Sequence, residues 1–222
     1  MKNKNLIKVY PSILSADFGA LAQEAKKLEA LEVEGIHVDI MDGHFVPNLT
    51  FGPQALSAIN RATSLFLDVH LMIYNPFDYI ERFIQAGADQ ITFHVEATEE
   101  VKDTLLYIRK CNKKAGLAIC PETSVELLAP YLEFCDQILL MTVNPGFGGQ
   151  KFMPEVLEKL AFLKKASEIR SLPLDLAVDG GIDAKSAKEC VQKGANVLVS
   201  GNYLYQAKDM NLAVETLKGA VN

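Results

Sequence analysis

A chain of 222 residues, 49% apolar and 23% charged, can bury a large core. A net charge of −6 without any Lys/Arg-rich block argues against a nucleic-acid partner. No apolar run reaches the roughly 18 residues of a membrane span, the start MKNKNLIKVYPS has no apolar signal core, and Cys111, Cys120, Cys135 and Cys190 form no CxxC pair; these features point to a cytoplasmic protein with reduced thiols and no membrane partner.

Eight strand-like runs are expected, each followed by a helical pattern. The first is Ile7–Leu14, followed by Phe18, Leu21, Ala22, Ala25 and Leu28 at helical spacing. Strands at Gly35–Ile40 and Leu65–Leu71 come next. Asn75-Pro76 then reads as an N-cap with Pro at the first helical position, ahead of Phe77, Ile80 and Ile84. Strands at Gln90–His94 and Ala115–Ile119 follow, and Ser124 opens a helical segment carrying Leu127, Leu128 and Tyr131. After a strand at Asp136–Thr142, Met153-Pro154 opens a helix over Val156–Leu163; after one at Leu174–Val178, Asp183 caps Ala184–Val191. The last strand is Asn196–Ser200. Gly87, Gly116 and Gly194 are each expected between an apolar helix and the next strand.

Strand alternating with helix implies a parallel sheet, and near-continuous apolar runs such as 138–143 suit strands buried on both faces. Eight units in 222 residues are about 28 residues each, near the roughly 30 of a βαβ unit. A closed (β/α)8 TIM barrel fits best, with an open doubly wound sheet as the alternative. No linker divides the chain, so a single domain over 1–222 is expected.

Ionisable groups crowd the ends of these apolar strands. His37, Asp39 and Met41 alternate on one face of strand 2, and Asp68, His70 and Met72 on one face of strand 3. Asp179 ends strand 7, Ser12 ends strand 1 and Met141 lies on strand 6. Barrel chemistry sits at the C-terminal ends of strands, so His37, Asp39, His70 and Asp179 can converge. Two imidazoles and two carboxylates suit a divalent metal (Zn2+, Fe2+, Mn2+ or Co2+), which also offsets the repulsion and desolvation of two buried carboxylates. Taken singly, a strand histidine is more often a bonded core residue and a strand-end aspartate a helix cap; four such groups on three strands argue for a site. His44 is read as structural or supporting, and His94, at the end of strand 4 beside Glu96, as either structural or in contact with substrate.

Three glycine-bearing loops follow the last three strands: Asn144–Gln150, Asp179–Ile182 and Ser200–Asn202. Glycine lets backbone N–H groups approach an anion, and loops after strands 7 and 8 are the usual barrel phosphate site. One such loop alone would read as a tight turn. The absence of GxxxxGK[ST] and GxGxxG argues against a nucleotide.

The segments PSILSADF (11–18), HVDIMDGHFVPNLTFGP (37–53), DVHLMI (68–73), MTVNPGFGGQKF (141–152) and VDGGI (178–182) resemble those of ribulose-phosphate 3-epimerases, in order along nearly the whole chain. The resemblance implies a ribulose-phosphate-binding TIM barrel and interconversion of D-ribulose 5-phosphate and D-xylulose 5-phosphate. It implies one divalent metal per subunit, Zn2+ first, on His37, Asp39, His70 and Asp179, and an acid/base pair of Asp39 and Asp179. Substrate contacts would fall on Ser12, His70, Gly146, Phe147, Gly148, Gly149, Gly180, Gly181, Gly201 and Asn202, with Met41, Met72 and Met141 lining the sugar. It also implies a homo-oligomer, dimer or hexamer. Two positions depart from the family pattern: Asn202 stands where Ser is usual, and residues 94–97 read HVEA where HPEA is frequent. The alternatives are a D-allulose-6-phosphate 3-epimerase, a non-catalytic sugar-phosphate-binding barrel, and a metal-free decarboxylase. The decarboxylase would want a lysine near the reacting carbon, and these strand ends offer none.

Overall fold

The computed structural model describes residues 7–221; the expectations resting on residues 1–6, the basic start of the chain, lie outside the described residues. Eight strands form one sheet: β1 (Lys8–Pro11), β2 (Gly35–Met41), β3 (Phe66–Met72), β4 (Gln90–His94), β5 (Lys114–Ile119), β6 (Gln137–Met141), β7 (Asp175–Asp179) and β8 (Val197–Ser200). Every pairing is parallel, between sequence neighbours and between β8 and β1. A parallel bridge from Ser12 to His37 joins the β1 and β2 edges and closes the barrel.

The α-helices are α1 (Leu21–Glu29), α2 (Pro53–Asn60), α3 (Ile80–Gln85), α4 (Val101–Lys110), α5 (Leu157–Ile169), α6 (Ala184–Lys193), α7 (Asn202–Tyr205) and α8 (Met210–Lys218). Their apolar faces pack on the outward side chains of the strands, including Ile36, Val38, Leu67, Val69, Ile91 and Val178, in the main core. A smaller cluster fills the barrel axis with Tyr10, Ala118, Leu139, Met141, Ala177, Val197 and Val199. Most inward positions of β2, β3 and β4 are polar instead: His37, Asp39, Asp68, His70, Gln90, Thr92 and His94 are all buried, with Met41 and Met72 apolar exceptions at the strand ends.

Several boundaries differ from expectation, for local reasons. The first strand stops at Pro11, and Ile13–Ser15 form a 3-10 turn. No α-helix follows β5; the chain makes 3-10 turns at Val125–Leu128 and Leu132–Phe134. Pro130 lies between them, and without an N–H it cannot continue an α-helix. Asn75 precedes Pro76 as expected, but it is left-handed (φ 47°), its side chain caps nothing, and the turn it opens is 3-10. Met153-Pro154 also opens a 3-10 turn, and the helix runs from Leu157 to Ile169. Asp183 does cap α6, accepting from Lys185 N and Ser186 N, while Ser186 Oγ accepts from Asp183 N in a capping box.

Gly116 is not a helix terminator; it lies inside β5. A Cβ there would stand 2.1 Å from Thr92 Oγ1 and 2.9 Å from Thr92 Cβ. Thr92 is fully buried on β4, so rotating its hydroxyl does not relieve the overlap. Gly116→Ala is therefore expected to cost about 1–3 kcal/mol, with Tm falling roughly 2–4 °C per kcal/mol in a chain of this size. Calorimetry reads this directly, and an unchanged Tm would mean the barrel yields at Thr92.

Candidate active site and metal centre

Register places the site residues. Within the β2–β3 pair, His37 lies beside Asp68, Asp39 beside His70 and Met41 beside Met72, all with inward-facing side chains. Asp179 ends β7 beside Met141 of β6. One donor atom from each of His37, Asp39, His70 and Asp179 lies within 4.8 Å of the others. Asp39 Oδ1 is 3.2 Å from His37 Nε2 and 3.1 Å from His70 Nδ1; Asp179 Oδ2 is 3.7 and 3.9 Å from the same nitrogens.

The outer partners of these groups set their orientation. Asp68 Oδ2 accepts from His37 Nδ1 at 2.8 Å, and Asp68 Oδ1 accepts from Gln90 Nε2 at 2.7 Å. His37 Nε2 is then left buried with no hydrogen-bond partner, despite its closeness to Asp39. Ser12 Oγ donates to Asp39 Oδ2 at 2.6 Å, leaving Oδ1 toward the histidines. A buried, orphaned imidazole nitrogen facing two carboxylates is what a cation would satisfy. The donor set of two nitrogens and two carboxylate oxygens fits a divalent transition metal. The carboxylate behind His37 is the arrangement that fixes a metal-bound imidazole.

The charges here are unequal. Burial alone would raise Asp39, but the charge of His37 and the hydrogen bond from His70 hold it well below the usual carboxylate range. Asp179 is pushed up to about 7, first by burial and then by the charge of Asp39. His37 is raised despite its burial because Asp39 and Asp68 flank it, so a proton is drawn to the place a metal would take. His70 is lowered to about 4, chiefly by burial. Without metal, one carboxylate is therefore ionised while the other holds a proton up to neutrality.

A cavity of 720 Å3 opens above this centre. Asp39 and Asp179 lie at its floor with Ser12, Met41, Met72 and Met141, and its walls include Gly146, Phe147, Gly148, Gly149, Gly180, Gly181, Gly201 and Asn202. Of the metal and substrate residues assigned from the sequence, His37 and His70 stay beneath the lining, both fully buried. His44 is exposed in the loop after β2, packed against Tyr74. His94 is buried at 2.9 Å from His70.

The loops above are tied together. Asn48 Nδ2 donates to Gly146 O at 2.6 Å, and Gln150 Nε2 donates to Asn144 O and Phe147 O, which closes the 144–150 loop on itself. Gly149 is left-handed (φ 75°), and a Cβ there would stand 2.5 Å from Asn202 Nδ2. Asn202 Oδ1 accepts from Ser15 Oγ at 2.7 Å, so its NH2 faces Gly149. The start of α6 is already filled by the Asp183 carboxylate, so it adds no free helix N-terminus for an anion. The start of α7, at Gly201, carries no side-chain cap and lines the cavity beside the glycine turns.

Asp68, Gln90, Asn48 and Ser15 carried no role in the sequence reading. Asp68 shares a strand face with His70, which was visible, but its job of orienting His37 depends on cross-strand register. Ser15 and Asn48 act across loops far apart in sequence.

Residues 8–205 match the model of the "Ribulose-phosphate 3 epimerase family". The chain is 52% identical to a ribulose-phosphate 3-epimerase from Chlamydia pneumoniae over 95% of this chain and 93% of that one. It is 44% identical to one from Bacillus subtilis over 97% and 100%. Among solved structures, the 3-hexulose-6-phosphate synthase from Salmonella typhimurium superposes with TM-score 0.72 at 14% identity, covering 97% of this chain and 98% of that one, a likeness of fold alone.

Proposed function

Because this chain belongs to the ribulose-phosphate 3-epimerase family and is a carbohydrate isomerase, we propose that it interconverts D-ribulose 5-phosphate and D-xylulose 5-phosphate, a step of the pentose phosphate pathway, by two-base proton transfer at C3. The observation that carries the mechanism is the convergence of Asp39 and Asp179, from strands separated by β1 and β8, on one candidate metal-binding centre.

Inverting C3 removes its proton from one face and returns one to the other. A single fixed carboxylate cannot serve both faces. Asp39 on β2 and Asp179 on β7 approach from strands separated by β1 and β8, so the reacting carbon can lie between them. One takes the proton as base and the other gives one as acid, and the roles reverse in the opposite direction. The C3 carbanion is delocalised through the C2 carbonyl as a cis-enediolate. Ser12 holds Asp39 Oδ2, so the base is aimed before substrate binds. His37, Asp39, His70 and Asp179 would hold one divalent metal, with Zn2+ the first choice and Fe2+, Mn2+ and Co2+ sharing the same donors. When bound, this cation supplies Lewis-acid stabilisation of the negative charge on the sugar oxygens. Met41, Met72 and Met141 give an apolar, polarizable floor that keeps water from the carbanion.

The phosphate is assigned to backbone N–H groups of the 146–149, 180–181 and 201–202 turns and to the Asn202 amide. Anchoring it there positions C3 through binding energy remote from the reaction. The 144–150 loop covers it as a lid. Gly181 is left-handed (φ 62°), and a Cβ would come 2.6 Å from Phe152 N, which is backbone. Gly181→Ala is thus expected to shift the 180–181 turn and raise KM at least about tenfold, the loss of roughly one hydrogen bond to a charged group, with metal content unchanged. An unchanged KM would remove this turn from the phosphate site.

A homo-oligomer and a cytoplasmic location are part of the same proposal; no helix among the described residues is long and apolar enough to cross a membrane. The test is a coupled assay on D-ribulose 5-phosphate beside D-allulose 6-phosphate. Preference for the pentose is expected. Preference for the hexose would move the assignment to the six-carbon epimerase, and tight binding without turnover of either would leave a sugar-phosphate-binding barrel.

A further inference from the structure

We propose that Glu96 and His94 are positioning residues that fix the tautomer of His70 and thereby make His70 Nδ1 a metal donor. The proposal deepens the metal-centre reading above and rests on it. His70 Nε2 and His94 Nε2 are 2.9 Å apart, and both side chains are fully buried. Two imidazole nitrogens at that distance share one hydrogen, so one ring donates and the other accepts.

The far side of His94 decides which. His94 Nδ1 is 3.2 Å from Glu96 Oε2, and a carboxylate only accepts. Glu96 cannot turn away, because its other oxygen accepts the backbone N–H of Cys120 at 2.8 Å. Cys120 Sγ, 3.4 Å from the same Nδ1, is a weaker partner on that side. The His94 ring is held against His70 (centroids 5.0 Å, 29° between planes) and against Phe45 at 4.8 Å. With Asp39 at the other end of the pair engaged by a metal rather than by His70, His94 carries its hydrogen on Nδ1 and accepts at Nε2. His70 then keeps its hydrogen on Nε2 when a metal replaces the hydrogen that Nδ1 donates to Asp39 Oδ1 at 3.1 Å, and its Nδ1 lone pair would be left for the metal, with Asp179 Oδ2 at 3.9 Å.

The two metal histidines are thus held from behind through opposite nitrogens. Asp68 holds His37 by Nδ1 and frees Nε2, while the Glu96–His94 pair holds His70 by Nε2 and frees Nδ1. This gives the HVEA sequence a task. His94 ends β4, and Glu96 in the following 3-10 turn reaches back to it.

Glu96→Gln in the full chain tests the proposal. The Cys120 N–H keeps the Gln carbonyl oxygen, which turns the Gln NH2 toward His94 Nδ1. The relay then reverses, and His70 is left with hydrogen on Nδ1. Zn2+ affinity, measured by competition with a chromophoric chelator, is expected to weaken about 10–100-fold, and the visible bands of the Co2+-loaded protein to change. Nitrogen-15 NMR of the Zn2+-loaded unsubstituted protein, which needs no variant to fold, is expected to find hydrogen on His70 Nε2 and on His94 Nδ1. Hydrogen on His70 Nδ1 in that protein, or a folded Glu96→Gln protein with Zn2+ affinity within about twofold of the parent, would overturn the proposal alone. A parent protein that takes up no Zn2+ would overturn it together with the metal centre.

Discussion

Asp39→Asn and Asp179→Asn are each expected to lower kcat on D-ribulose 5-phosphate by about 10^2–10^4-fold, the usual contribution of a positioned acid or base, while the barrel still folds. Asn matches Asp in size and can still accept from Ser12 in the Asp39 case, so packing is preserved. What disappears is a group able to take or give a proton at C3. The loss should be largely in kcat, because the 146–149, 180–181 and 201–202 turns, proposed above to hold the phosphate, are untouched. Both residues also belong to the candidate metal centre, so metal content must be measured with the kinetics. A variant that keeps its metal and still loses turnover isolates the proton-transfer role. Near-normal turnover in either variant refutes the two-base assignment.

The second large effect is metal removal. Chelation is expected to abolish turnover and one divalent ion to restore it. Removal also leaves the orphaned His37 Nε2 and the His70 Nδ1 opposite two carboxylates with only protons to separate them. The apo protein should therefore be less stable as well as inactive. Metal at about 100 times its Kd stabilises the folded state by about 2.7 kcal/mol, which for a chain of this size is a Tm difference of roughly 5–10 °C. Full activity in protein shown metal-free by elemental analysis would sink the centre as a catalytic requirement.

Much of this was legible in the residues. Period-two placement of His37, Asp39 and Met41, and of Asp68, His70 and Met72, fixed which side chains point inward once a barrel was assumed. The apolar runs of β5 to β8 are parallel-strand sequences, and the cap at Asp183 was readable, though not the return bond from Ser186 that completes its capping box. The misreadings were local. Gly116 looked like a helix stop because glycine serves both there and where a strand must make room, here for Thr92 on a neighbouring strand. Ser124 looked like a helix cap because periodicity alone overlooks the interruption at Pro130. The supports of the site were harder to see. Asp68 behind His37, Glu96 behind His94 and Ser15 behind Asn202 each depend on which strands and loops are neighbours in space, and periodicity along one strand carries no such information.

The most direct test of two-base epimerisation is proton NMR of D-ribulose 5-phosphate turning over in D2O. Deuterium at C3 of essentially all newly formed D-xylulose 5-phosphate is expected, because the acid that delivers to the second face exchanges with solvent and is not the base that took the proton. Epimerisation with the original C3 hydrogen retained in the product would contradict the assignment of separate roles to Asp39 and Asp179.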